Sequence, residues 1–103
     1  MGWTRVCDVD DVEEEDVIGV SVEGRDVAVY RDEDGEFYAS DGHCTHERML
    51  LCDGLVMDGI IECPKHNGRF RITDGAAVGA PVTIDLRTYP VRVEDGEVHV
   101  DLA

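Results

Sequence analysis

Three features of this 103-residue sequence predict an all-β fold, an antiparallel β-sandwich or small barrel. Six Asp-Gly dipeptides, at 34–35, 41–42, 53–54, 58–59, 74–75 and 95–96, punctuate the chain. Several lie between β-branched or aromatic runs, and Asp-Gly supplies the positive φ angles that a tight hairpin turn requires. No segment sustains the 3.6-residue apolar period of a long helix. Short strands joined by tight turns bury their apolar faces most readily in a sandwich or barrel.

Taken in order, "WTRVC" and "VIGVSV" read as strands, with "DVDDVEEED" between them as a turn or one short helical turn. "VAVYR" and "EFYAS" flank Asp34-Gly35, "LVM" and "IIE" flank Asp58-Gly59, and "VRV" and "VHV" flank Asp95-Gly96, so three hairpins follow. Near the C-terminus Val98, Val100 and Leu102 alternate with His99 and Asp101, which directs the first set to the core and His99 to solvent. The chain shows no linker and no low-complexity tract, and its length suits one domain over 1–103.

Nine Lys plus Arg against 24 Asp plus Glu give a net charge of −15. Such a surface repels nucleic acid and anionic membrane alike and favours a basic protein partner, although acidity also serves solubility or adaptation to salt. An apolar content of 43% argues for a folded chain. No apolar run reaches the length of a membrane span, and the opening "MGWTRVCDVDDVEEE" has neither the basic nor the hydrophobic region of a secretory signal. The expected location is the cytoplasm, where four cysteines are ligands or thiols sooner than a disulfide framework.

Two of those cysteines stand beside histidines. "GHCTHE" holds Cys44 and His46, and "CPKH" holds Cys63 and His66. Each doublet falls where a strand gives way to a loop, so two loop tips can converge at one end of the scaffold, each bringing a sulfur and a nitrogen. A structural zinc ion accepts such a set at four-coordination. A [2Fe-2S] cluster accepts it with both cysteines on one iron and both histidines on the other. His43 adjoins Cys44 in a strand-like approach and should face the opposite way. Cys7 and Cys52 have no histidine at ligand spacing; Cys7 is expected to be buried.

The spacing Cys44-x-His46, sixteen residues, then Cys63-x-x-His66 resembles the signature of Rieske proteins. "CPKHNGRF", "GAPVTIDLRTYPVRVEDGEVHVDL" and "VEGRDVAVYRDEDGEFYASDG" extend the likeness along essentially the whole chain. It is similar to bacterial Rieske ferredoxins, above all to ferredoxin components of naphthalene- and biphenyl-type ring-hydroxylating dioxygenases. The resemblance implies a Rieske-type β-sandwich with a small cluster-binding subdomain, about 43–70, formed by two loops. It also implies one [2Fe-2S] cluster held by Cys44 and Cys63 on the inner iron and by His46 and His66 on the outer one. Gly79-Ala80-Pro81 resembles the family's third loop over the cluster. High-potential relatives add a disulfide and Ser and Tyr hydroxyls at the cluster sulfurs, whereas Met49, Lys65, Asn67 and Phe70 stand at the matching places here. With fewer donors, the potential is expected near the low end of the roughly −150 to +300 mV Rieske range.

Once His46 and His66 are committed, only His43 and His99 remain, too few to build a mononuclear iron site, and no Gly-x-Gly-x-x-Gly fingerprint offers a nicotinamide or flavin site. The chain is thus expected to be no enzyme in itself but a monomeric one-electron shuttle. It would run from a flavin-dependent reductase to a Rieske terminal oxygenase, docking transiently at the His46/His66 end, with its acidity steering it toward basic faces. The competing readings are a permanent Rieske subunit, such as that of a nitrite reductase, and a zinc module for protein contacts.

Overall fold

The computed structural model describes residues 2–45, 49–64, 67–79 and 82–103. Ten strands are defined: β1 (Trp3–Asp8), β2 (Asp16–Val22), β3 (Arg25–Arg31), β4 (Phe37–Asp41), β5 (Leu55–Met57), β6 (Ile60–Glu62), β7 (Arg69–Arg71), β8 (Thr88–Tyr89), β9 (Val91–Glu94) and β10 (Glu97–Asp101). They form three antiparallel sheets, ordered β1-β10-β9, β2-β3-β4-β8 and β5-β6-β7. Two 3-10 turns, Val9–Asp11 and Leu51–Asp53, complete the described elements.

Strand β3 explains the layering. Val27, Ala28, Val29 and Tyr30 are all fully buried, which a strand with one wet face cannot achieve. Successive side chains point to opposite faces. Val27 and Val29 accordingly enter a core with Val98, Val100 and Leu102, while Ala28 and Tyr30 enter a second core with Leu51, Ile61 and Phe70. The sheet containing β3 is thus the middle layer, with β1-β10-β9 against one face and β5-β6-β7 against the other.

All three expected hairpins form. Asp58-Gly59 and Asp95-Gly96 adopt positive φ at both residues, 53° and 76° in the first and 52° and 76° in the second, as a two-residue type I′ turn requires. A further hairpin, β2–β3, uses the same conformation at Glu23 (53°) and Gly24 (77°). Nothing in the sequence pattern announces strands β7 and β8. They are three and two residues long, too short to show alternation, and exist because a neighbour pairs with them. Strand β8 ends at Tyr89, before Pro90, whose missing N–H cannot extend the ladder, and the chain passes on to β9 in another sheet.

The expectation for the C-terminal strand holds for Val98, Val100 and Leu102, at 0%, 0% and 7% exposure. His99 departs from it, being half-buried instead of solvated. Because β10 is the central strand of its sheet, Arg5 and Arg92 flank His99 directly on either side, and Nε2 lies 3.7 Å from Glu97. Ser40 is the buried polar residue among those described; its hydroxyl is 2.7 Å from that of Tyr30 and donates to the Asp41 carbonyl at 2.8 Å.

Candidate metal centre

Cys44 follows β4 by three residues, and Cys63 comes directly after β6. Their loops are closed in the same way. The Cys44 N–H donates to the Met49 carbonyl at 2.9 Å, and the Cys63 N–H donates to the Gly68 carbonyl at 2.6 Å. In each, the cysteine is the first residue of a six-residue segment tied at its base by its own backbone. Both side chains are buried, at 5% and 1% exposure, in one apolar core with Leu51, Ile61 and Phe70.

Local sequence dictates this arrangement. Around the first loop His43 bridges to Leu50, the Leu51 N–H reaches the Gly42 carbonyl at 2.8 Å, and the 3-10 turn Leu51–Asp53 follows. Gly54 then passes against the Glu62 carbonyl, where a Cβ would have no room. Gly68 closes the second loop because a Cβ there would meet Val82 Cγ1 at 2.6 Å. Val82 is itself buried and hydrogen-bonds back to Gly79 at 3.1 Å, so this third segment covers the second loop. It is also tied to the first, since the Thr45 hydroxyl donates to the Ile84 carbonyl at 2.6 Å.

His46 and His66 lie outside the described residues, as do Glu47, Lys65, Ala80 and Pro81. His43 turns away from the core that takes Cys44, its Nε2 lying 3.6 Å from Asp26. In the apolar stretch 49–51 at the end of the first loop, Leu51 is fully buried, Met49 packs against the same core, and Leu50 is exposed. Cys7 sits in the other core, where burial pushes its thiol up to about 11. Cys52 borders the cysteine-containing core, beneath Gly19, where a Cβ would lie 2.9 Å from the Cys52 sulfur. Thr45, Gly68, Val82 and Ile84 had no signal in the sequence beyond the glycine, because their contacts join segments far apart in the chain.

Two buried sulfurs in an apolar, backbone-tied cradle suit a group that needs thiolates and exclusion of water. The donor set beside them in sequence, one imidazole per loop, matches a mixed sulfur–nitrogen cluster.

Comparison with known proteins agrees. The family model described as the Rieske [2Fe-2S] domain matches residues 2–90. The ferredoxin component of the naphthalene 1,2-dioxygenase system of Pseudomonas putida is 45% identical over 101 residues, covering 98% of this chain and 96% of that protein. Among solved structures, the Sphingomonas yanoikuyae B1 ferredoxin superposes with a TM-score of 0.91 at 42% identity, covering 97% of this chain and 98% of that one. The complex of reduced oxygenase and oxidized ferredoxin in carbazole 1,9a-dioxygenase gives 0.90 at 34% identity, covering 97% and 93%. A full-length likeness of this strength, on a fold that buries two cysteines at the bases of twin loops, assigns the chain to the Rieske [2Fe-2S] domain family, with one Rieske-type cluster as its cofactor.

Proposed function

We propose that the protein is the ferredoxin of a ring-hydroxylating dioxygenase system, a one-electron carrier from a flavin-dependent reductase to a terminal oxygenase. The observation that carries this reading is the match to a dioxygenase ferredoxin component over 98% of this chain and 96% of that protein. Cys44 and Cys63 hold the inner iron, and His46 and His66 the outer one, within a cluster-binding subdomain of about 43–70. When bound, the cluster supplies a one-electron couple raised in potential by its neutral imidazoles.

The chain's own residues set the conditions for that couple. Leu51, Ile61, Phe70 and Val82 exclude water from the sulfur side. Phe70, fully buried in this core, brings no hydroxyl, so the reduced state lacks one donor and the potential falls toward the low end for a Rieske centre. Electrons enter and leave through the His46/His66 end, since apolar layers wall off the remainder. No helix among the described residues is long and apolar enough to cross a membrane. A cytoplasmic monomer that docks transiently fits a shuttle that must release each partner in turn.

Reconstitution tests the reading. Holo-protein, a flavin-dependent NADH reductase and the oxygenase component of a naphthalene dioxygenase system are combined, and NADH-driven product formation is followed. The expected result is turnover that requires the protein and stops on substitution of His66. Turnover independent of the protein would refute the reading.

A further inference from the structure

Asp41 ends strand β4 three residues before Cys44, and it is held by backbone and side chain alike. Its N–H donates to the Arg87 carbonyl at 2.9 Å, its carbonyl accepts the Ser40 hydroxyl at 2.8 Å, and its carboxylate accepts the Tyr89 hydroxyl. The sheet ladder alone gives little hold here. β4 meets β8 at two positions, Ala39 with Tyr89 and Ser40 with Thr88, which is shorter than an ordinary strand pairing.

Two phenols converge on this residue, one from each core. Ser40 Oγ has one proton, and it goes to the Asp41 carbonyl, so the Tyr30 hydroxyl 2.7 Å away donates to Ser40. Tyr30 belongs to the core that takes Cys44 and Cys63, whereas Tyr89 belongs to the aliphatic one. Burial, and then the bond to Asp41, hold the Tyr89 phenol above its ordinary value, so it remains a donor throughout the neutral range. Arg25 and Arg87 lie 6.0 and 5.2 Å from the centroid of the Tyr89 ring, so two cations accompany the Asp41 carboxylate.

From Asp41 the restraint passes along the backbone to the cysteine. The Gly42 N–H donates to the Asp26 carbonyl at 2.9 Å, and the Gly42 carbonyl accepts the Leu51 N–H. Gly42 fits closely, since a Cβ there would meet the Asp26 backbone at 3.0 Å. His43 then bridges to Leu50, and the Cys44 N–H reaches Met49. Every step from Asp41 to Cys44 is thus tied, and a shift of the first is carried to the last.

We infer that Asp41 and Tyr89 are positioning residues for the cluster: their hydrogen bond fixes the root of the first loop and with it the depth at which Cys44 presents its sulfur to the inner iron. This rests on the reading of Cys44 as a ligand. Depth matters because solvent exposure and hydrogen bonds at the sulfurs set the potential of an iron–sulfur cluster. A loosened root admits water to the Cys44 side, which stabilises the reduced state and raises the potential.

The test is a redox titration of the holo-protein followed by electron paramagnetic resonance, with iron release to a chelator timed on the same samples. Wild type, Y89F and D41N are compared. Asn keeps an oxygen that accepts the Tyr89 hydroxyl and removes only the charge. Y89F is expected to hold its full iron, to raise the reduction equilibrium constant about threefold, roughly 30 mV, and to release iron about tenfold faster. D41N is expected to match the wild type in both measures. Should Y89F fail to fold, D41A, which removes the same bond from its half-buried partner, is read by the same measures in its place. Unchanged potential and iron release on loss of the bond overturn the inference. A shift in D41N as large as that in Y89F also overturns it, because the charge of Asp41 and not its bond would then be acting. A full cluster signal in Cys44→Ser overturns the ligand reading beneath it.

Discussion

The middle sheet, β2-β3-β4-β8, carries a core on each face, and the two cores are built for different ends. The one against β1-β10-β9 is mainly aliphatic, with Val27, Val29, Val98 and Val100 fully buried and Cys7 as its thiol. The one against β5-β6-β7 surrounds Cys44 and Cys63 and is closed by loops and the Val82 segment in place of long strands. The first core can hold the scaffold by burial alone. The second uses its apolar side chains to dry and position two sulfurs, so its integrity and the cluster's are linked.

Substitutions can break that contrast. The largest effect is expected from Cys63→Ser or Cys44→Ser, which should abolish bound iron and the visible absorption of the cluster, while Cys7→Ser keeps both. Retention of the cluster in Cys63→Ser would remove the distinction between the cores. Next come two leucines, Leu51 in the cysteine-containing core and Leu102 in the aliphatic one. Each truncation to Ala should cost roughly 2–5 kcal/mol in denaturant unfolding, with Leu102, at the chain end, near the lower limit. Only Leu51→Ala should also speed loss of iron to a chelator.

The Cys7 thiol offers a pH test of the aliphatic core. Burial raises it from an ordinary 9.0 to about 11, so the folded state favours the neutral thiol. Its contribution to stability is complete below about pH 9 and is lost as pH rises toward 11. Denaturation midpoints of the wild type should therefore decline more steeply than those of Cys7→Val across that interval, and run parallel below it. The smallest effect sharpens the other core. Phe70→Tyr introduces a hydroxyl beside the sulfurs, and one hydrogen bond worth about 1 kcal/mol to the reduced state raises a one-electron potential by roughly 40 mV. Direct electrochemistry of the two proteins checks it.

Much of this was legible in the chain. The hairpins at Asp34-Gly35, Asp58-Gly59 and Asp95-Gly96 are local events, set by residues that tolerate positive φ between alternating strands. The Cys/His doublets were legible because metal chemistry demands particular residue types at close spacing. The Glu23-Gly24 turn escaped because glutamate is a poor marker for a conformation that Asp-Gly advertises. The clasp of Thr45 on Ile84 and of Val82 on Gly68 is a tertiary arrangement between segments with no pattern of their own. Charge behaved similarly. The sequence states −15, but only the folded chain brings Glu15, Glu33 and Asp58 together from three separate segments.

Every functional step above depends on the second core holding a Rieske cluster on Cys44, His46, Cys63 and His66. Electron paramagnetic resonance of the dithionite-reduced protein is the decisive experiment, with iron and acid-labile sulfide assayed on the same sample. A rhombic Rieske-type signal with about two irons and two sulfides per chain is expected, lost on substitution of His46 or His66. A colourless protein with one zinc ion and no signal would show that the two loops hold something else.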